Sequence, residues 1–160
     1  MPYRVIQLAA LAVIGLLASP NKLDAGETFP HSAVAVSTGW ALEREKEKDE
    51  ESFSLGLEYE YRATELWGVG IAAEWLSDDD MVRNASLVGL FSLHPIGGLR
   101  VFGGPGVEFT DKKDKFLFRA GAGYEFHIAE HWFIAPEGFI DLIETGERTY
   151  VFAFALGYTF

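Results

Sequence analysis

Residues 149–160 read TYVFAFALGYTF, and their alternation of large and small side chains decides the fold. The large side chains fill every second position, namely Tyr150, Phe152, Phe154, Leu156, Tyr158 and Phe160. Successive side chains of a β-strand point to opposite faces, so this segment predicts a strand with one aromatic face and one narrow face. An uncovered strand of this kind is a template for aggregation. We therefore expect either a partner or lipid to cover the aromatic face.

The composition indicates one folded domain that is rich in aromatic rings. Of the 160 residues 49% are apolar, and they include 13 Phe, 6 Tyr and 4 Trp. A chain of this length and apolar content can bury a core, which excludes extensive disorder. The net charge of −11 argues against nucleic acid as a partner, because phosphate binding needs a basic surface. The absence of cysteine removes disulfides, thiol nucleophiles and thiolate metal sites.

Residues 1–25 have the features of a secretory signal peptide. Arg4 precedes Val5–Ala18, an apolar run that only Gln7 interrupts. This run is shorter than the roughly 20 residues that a transmembrane helix needs, but it suits a signal sequence. A buried N-terminal helix is the alternative. We expect cleavage near Ala25, which leaves residues 26–160 as the folded domain of an exported protein.

From Pro30 onward the chain repeats a period of two and has no helical period. The alternating segments are Ala33–Leu42, Ser52–Arg62, Leu66–Leu76, Val82–Leu93, Gly98–Phe109, Phe116–Ile128, Trp132–Ile143 and Thr149–Phe160. Odd-numbered connections are charged or polar loops (EREKEKDEE, SDDD, TDKKDK, ETGER), and even-numbered ones are shorter and less charged (ATE, HPIG, AEH). Pro105 predicts a bulge or a break in the fifth ladder. The difference between the odd-numbered and the even-numbered connections is typical of transmembrane barrels, in which the periplasmic turns are tight.

Side-chain volume predicts which face of the strands points outward. A soluble, lipocalin-like barrel would direct the large face inward, around a ligand. An eight-stranded barrel has room inside for only a modest layer of side chains, and the rings of the large face exceed it. Large rings are therefore expected to face lipid, and small and charged residues the lumen. Trp67 and Trp75 then lie roughly 20 Å apart along the membrane normal, as two interfacial girdles require.

The inward face of this barrel carries many charged residues. They are Glu58, Glu60, Arg62, Glu74, Arg100, Glu108, Arg119, Glu125, Glu137 and Asp141, with His127 on the same face. We interpret them as an internal ion-pair network that plugs the lumen. A path for ions is the alternative. Since carboxylates outnumber arginines there, some of them could also bind a cation.

The segment Pro30–Phe160 resembles the small outer-membrane β-barrel family of OmpX-like, OmpA-barrel and opacity-type proteins. Tyr158-Thr159-Phe160 is similar to the terminal aromatic signature that the barrel-assembly machinery reads, and Gly121–Phe126 and Trp132–Glu137 also look familial. The resemblance implies an all-β, eight-stranded antiparallel up-and-down barrel in the bacterial outer membrane. It further implies contact with outer-membrane lipid and lipopolysaccharide, assembly through Tyr158 and Phe160, and a monomer.

We expect a structural, envelope-integrity or interaction role for such a barrel. A narrow cation-favouring pore is the alternative, and a lipid A-modifying enzyme is a third hypothesis. We predict no catalytic residue, because Ser77 and Asp78 fall at the outer end while His31 falls at the periplasmic end. His127-Ile128-Ala129 also lacks the serine of a His-x-Ser motif. His127 and His131 are four residues apart, but a strand end followed by a turn does not give the helical i, i+4 ligand geometry, so we expect no metal site there and no cofactor.

Overall fold

The protein forms one closed sheet of antiparallel strands. The computed structural model describes residues 31–45, 48–78, 81–110 and 113–160. The strands are β1 (Ser32–Glu45), β2 (Lys48–Arg62), β3 (Trp67–Asp78), β4 (Met81–Ile96), β5 (Leu99–Phe109), β6 (Lys115–Tyr124), β7 (Phe126–His127), β8 (Trp132–Ile143) and β9 (Arg148–Thr159). The predicted signal peptide, residues 1–25, lies outside the described residues. Within those ranges, no helix has the length and apolar content needed to cross a bilayer.

Each barrel strand pairs with the next one along the chain, with β6 and β7 counted as one strand, and the last one returns to the first. The order is β6-β5-β4-β3-β2-β1-β9-β8-β7, and β6 also pairs with β8, which closes the circle. β6 and β7 are two parts of one barrel strand that is interrupted at Glu125. The barrel therefore has eight strands in up-and-down order, as the sequence predicts. We call the end that carries Ser32 and Thr159 the termini end, and the opposite end the loop end.

The closing seam runs between β1 and β9 over their whole common length. Its register extends from Ala33 opposite Thr159 to Arg44 opposite Arg148. Beyond it, Ser32 and Phe160 exchange both backbone hydrogen bonds, at 3.0 and 2.8 Å. Closure satisfies the backbone groups of both edge strands, which a lipid environment demands.

The aromatic face of residues 149–160 points outward, as predicted. Phe152 and Phe154 are 72% and 64% exposed, whereas Val151 and Ala153, which alternate with them along the strand, are 1% and 3% exposed. On the neighbouring strand β1, Trp40 is 68% exposed and pairs with Phe152. The barrel thus presents an apolar outer surface and encloses the small face of each strand.

Two details of the elements differ from the sequence prediction. β1 and β2 continue into the charged stretch 43–51, with Glu43 opposite both Glu50 and Thr149, since half-buried charged side chains at the mouth of the barrel can stay partly solvated. β4 continues to Ile96 through an irregularity after Leu93, so the tight turn falls at Gly97–Gly98 rather than at residues 94–97. The break that Pro105 predicts is present: no pairing links β4 and β5 between Val88–Gly106 and Phe91–Gly103, although both pairs have the same register, so no bulge accompanies it.

The lumen also contains large apolar side chains, which corrects the expectation that all large rings face lipid. A contiguous buried cluster is formed by Ala41, Ala72, Leu76, Val88, Leu90, Phe102, Leu117, Phe139, Ile143, Val151 and Ala153. Glycines make the room for its rings, since a Cβ on Gly121 would lie 2.7 Å from Phe102 Cζ and 2.5 Å from Phe139 Cβ. The interior is thus a packed core as well as a polar one.

Candidate functional site

All ten charged residues predicted for the lumen lie on the inner face of the barrel, each buried or half-buried. The structure does not join them in one continuous network. It gathers six of them, with His94, toward the termini end, and three of them around Arg119 at mid-barrel. Glu108 lies apart, close to the loop end, where β5 approaches its last residue.

The Arg119 cluster consists of Arg119, Glu74, Asp141, Ser54 and Phe139. Arg119 Nε and Nη2 donate to Asp141 Oδ1 and Oδ2 at 2.7 and 2.6 Å, the bidentate geometry that a guanidinium favours. Nη2 also donates to Glu74, whose other oxygen accepts from Ser54 Oγ at 2.6 Å. The guanidinium carbon lies 3.9 Å from the centre of the Phe139 ring. One cation therefore holds two carboxylates from opposite walls of the lumen.

The termini-end cluster consists of Glu58, Glu60, Arg62, His94, Arg100 and Glu125, with Glu137 beside it. Arg100 donates to Glu58 and to Ser92, and its Nε lies 3.3 Å from Glu60 Oε2. Arg62 Nη2 donates to Glu125 Oε1 at 2.6 Å. His94 Nε2 lies 2.8 Å from Glu60 Oε1, so Glu60 connects the arginine and the histidine.

Two predicted network members remain outside these ion pairs. Among the described residues, Glu137 has no hydrogen-bond or ion-pair partner, although it lines the lumen between the two clusters. Glu108 accepts one long hydrogen bond from Asn84 at 3.4 Å, and its buried Oε2 has no partner in the described part of the chain. Shared placement on the inner face therefore does not ensure pairing.

Two small cavities occupy the space beside these clusters. The first lies toward the termini end, between the carboxylates of the termini-end cluster and a wall of Ala33, Ala35, Ala135 and Ala155. The second lies between Ser37, Glu58, Glu74, Arg119 and Glu137. Each offers about 20 Å³ to the centres of water molecules, enough for one or two waters.

The histidines of the barrel lie in different surroundings. His94, which the sequence prediction assigned to a turn, lies on β4 and reaches Glu60 in the lumen. The period of two could have predicted this position, because it places Ser92 and His94 on the same inward face of β4. His127 is on the inward phase as predicted, but it is exposed and lies 6.1 Å from the Phe133 ring. His131 is exposed beside Tyr158, so the two do not form a common site in the lumen.

His31 and Ser77 lie at opposite ends of the barrel, as the sequence analysis expects. His31 Nδ1 donates to Arg62 O at 3.1 Å, at the termini end. Ser77 stands eight residues along β3 from Val69, which pairs with Tyr61 near that end. Eight residues of a tilted strand correspond to about 20 Å along the barrel axis. A nucleophile and base so far apart cannot act together.

The predicted assembly residues lie together at the termini end. Tyr158 packs against Trp132 and His131, with ring centres 5.1 and 5.5 Å apart, respectively. Phe160 follows β9 and makes the backbone bonds to Ser32 described above. The last aromatic residues therefore close the seam and extend the outer aromatic surface.

Comparison with known proteins agrees with this architecture. No protein-family model and no curated protein matches the chain. Among solved structures it is similar to Ail, the attachment invasion locus protein of Yersinia pestis, with 15% identity, 83% of this chain and 100% of that chain covered, and a TM-score of 0.58. Neisserial surface protein A gives 10% identity, 84% and 100% coverage, and a TM-score of 0.60. The outer membrane protein OprG from Pseudomonas aeruginosa gives 11% identity, 86% and 99% coverage, and a TM-score of 0.59.

Identities at this level establish the fold alone. The chain has the eight-stranded antiparallel barrel of small outer-membrane proteins, and the seam, the outer aromatic surface and the strand order all fit that architecture.

Proposed function

We propose that the protein is an integral outer-membrane β-barrel with a closed lumen, which serves envelope integrity or an interaction at the cell surface. The outer face supports membrane insertion. Trp40, Phe152 and Phe154 are each more than three-fifths exposed and stand next to one another across the β1–β9 seam. A soluble monomer does not keep so much contiguous apolar surface in water, whereas lipid covers it without cost.

The observation that supports a closed lumen is that side chains fill its middle section. Arg119 links β3, β6 and β8 across the interior, and it lies against the Phe139 ring. Next to it, Leu117, Val88 and Val151 are at most 1% exposed and form part of the apolar cluster. Ions do not pass a dry apolar layer without losing their hydration, so this section favours a plug.

The same geometry supports a non-enzymatic role. A hydrolase or acyltransferase needs a nucleophile, a base and an orienting group within hydrogen-bond reach. Here His31 belongs to the termini end and Ser77 to the loop end, and His94 is engaged by Glu60. The partners that fit the proposal are outer-membrane lipid and lipopolysaccharide on the outer surface. During assembly, Tyr158 and Phe160 are the residues offered to the assembly machinery, and the completed barrel acts as a monomer.

A narrow cation pore is the second candidate function. The lumen carries seven carboxylates (Glu58, Glu60, Glu74, Glu108, Glu125, Glu137 and Asp141) against Arg62, Arg100 and Arg119. Such an acidic interior attracts cations and repels anions. The two cavities beside Glu137 would be its widest sections.

Thiol accessibility tests the closed lumen cleanly because the natural chain has no cysteine. Single variants Ala35→Cys in the first cavity, Ala153→Cys in the apolar cluster and Glu144→Cys in an exposed loop are treated with a membrane-impermeant maleimide. Applied to intact cells, the reagent should label Glu144→Cys alone. Added from the periplasmic side, it should reach Ala35→Cys but not Ala153→Cys. Labelling of Ala153→Cys from both sides would contradict a closed lumen.

A further inference from the structure

Three metal-ligating side chains meet in the termini-end cluster. They are Glu60 on β2, His94 on β4 and Glu125 at the interruption between β6 and β7. One ligand atom of each lies within 4.8 Å of the others, and His94 Nε2 and Glu60 Oε1 are 2.8 Å apart. One imidazole and two carboxylates from three separate strands thus converge on a single point of the lumen.

The backbone is shaped to bring these groups together. Glu125 interrupts its strand, and its N–H donates to Gly98 O at 2.7 Å, where Gly98 takes a φ of 86° in the β4–β5 turn. Glu60 places its carboxylate over Gly68, where a Cβ would lie only 2.1 Å from Oε1. The positions of both carboxylates therefore depend on local features of the sheet that a regular barrel strand would lack.

The charge around this point is not balanced by the arginines. The carboxylates of Glu58, Glu60 and Glu125 pair with the guanidiniums of Arg62 and Arg100, which leaves a formal charge of −1 when His94 is neutral. Glu60 and Glu125 are 2% and 5% exposed, so bulk water does little to offset this excess. A divalent cation that takes the place of Arg62 would bring these three carboxylates and Arg100 to formal neutrality.

Arg62 lies beside two of the three ligands, Glu60 and Glu125, and it satisfies them incompletely. Its Nη2 donates to Glu125, but its Nε lies 3.8 Å from Glu60 Oε1 and has no hydrogen-bond partner among the described residues. Its side chain is the most exposed of the four groups, at 11%. Another cation at this point would therefore replace the contacts that Arg62 makes with Glu60 and Glu125.

We propose that Glu60, His94 and Glu125 form a binding site for a divalent transition-metal ion, with Zn²⁺ as the best match. An imidazole ligand favours Zn²⁺ over Mg²⁺ and Ca²⁺, which take oxygen ligands. Tetrahedral ligands of Zn²⁺ lie about 3.4 Å apart, so the His94–Glu60 contact must widen by only about 0.6 Å. Glu60 and Glu125 border the first cavity, which has room for a water that would complete the coordination.

Metal titration of the whole barrel tests this site. Protein without an affinity tag is extracted in detergent from its membrane, freed of metal with a chelator, and titrated with ZnCl₂ by calorimetry and with CoCl₂ by visible absorption. The wild type should bind one Zn²⁺ per chain, and Co²⁺ should give the intense absorption of a four-coordinate site. His94→Gln and Glu125→Gln should each weaken Zn²⁺ binding at least about tenfold. Arg62→Gln should strengthen it, because the competing cation is removed.

His127→Gln and His131→Gln are the matched controls, since both histidines are exposed at the same end of the barrel. They should leave the affinity unchanged. Zn²⁺ binding that depends on His127 or His131 instead of His94, or no binding by the wild type, would overturn the proposal. If His94→Gln fails to fold, Arg62→Gln decides: an affinity no higher than that of the wild type also overturns the site. Equal affinity for Mg²⁺ and Zn²⁺ would exclude the imidazole as a ligand.

Discussion

Replacing Arg119 by methionine removes the cation that links Glu74 and Asp141 across the lumen. Methionine keeps an unbranched apolar stem against Phe139 but donates no hydrogen bond. The substitution deletes the bidentate pair with Asp141, at 2.7 and 2.6 Å, and the bond to Glu74. Two carboxylates that are 4% and 5% exposed then face each other in a barrel interior without a counter-ion.

Removal of one partner from a buried ion pair destabilises a protein by about 3–5 kcal/mol, because the remaining charge has lost its compensation. We expect the free energy of unfolding of Arg119→Met to fall by about this amount. With a urea dependence of about 2 kcal/mol per molar, the unfolding midpoint should shift down by about 1.5–2.5 M.

The assay is urea unfolding of the barrel in detergent micelles, followed by tryptophan fluorescence and by the mobility of unheated protein in a denaturing gel. Two controls separate charge from packing. A triple variant that adds Glu74→Gln and Asp141→Asn should recover most of the loss, because it removes the uncompensated charges. Lys115→Met breaks the half-buried pair with Glu147 near the loop end and should change stability by only about 1 kcal/mol or less.

Wild-type stability in Arg119→Met would refute this reasoning, since it would mean that the two carboxylates need no cation. A triple variant as unstable as the single one would assign the loss to packing against Phe139 rather than to buried charge.

Three further predictions concern the seam, the outer face and the packed lumen. Deleting Phe160 removes both backbone bonds to Ser32 and the terminal aromatic ring, and should lower the amount of heat-modifiable barrel in the outer-membrane fraction; an unchanged amount would count against its role in assembly. Ile71→Arg lies halfway between Trp67 and Trp75 on β3 and should lower the free energy of unfolding in lipid by about 2–4 kcal/mol. Phe53→Arg, which lies beyond Trp75, should lower it by about 1 kcal/mol or less. Equal losses in the two variants would contradict the depth assigned to β3. Gly157→Ala places a Cβ 2.0 Å from Phe133 Cζ and should destabilise by about 1–3 kcal/mol in urea unfolding, and a neutral effect would show that the ring moves freely.

The strand order and the direction of the faces could be predicted because both follow from a period of two and from volume. Residues 149–160 illustrate this, since alternate burial of Val151 and exposure of Phe152 repeat the sequence pattern. The ends of β1 and β2 could not be predicted, because charged residues are compatible with a strand at the mouth of the barrel, where their side chains stay half-exposed. Glu43 and Glu50 therefore extend a hairpin that composition assigns to a loop.

The members of the lumen could be predicted, but their partners could not. Which side chains meet across a barrel depends on the stagger of strands that are distant in sequence, and period two carries no information about it. Arg119 therefore finds Glu74 on β3, while Glu137 on β8 finds no partner among the described residues. His94 escaped prediction because Pro95 and Gly97 marked its surroundings as a turn. The inward packing of the Phe102 and Phe139 rings was not predicted, because the room for them is left by Gly121 on a different strand, β6.

The closed lumen is tested most directly by single-channel recording of the purified barrel in a planar bilayer. We predict no steady openings in wild-type protein, because the Arg119 cluster and the apolar cluster with Leu117 and Val151 fill the same section of the interior. Steady cation-selective openings in the wild type that disappear on Glu58→Gln and Glu60→Gln would contradict the plug and establish a cation pore in its place.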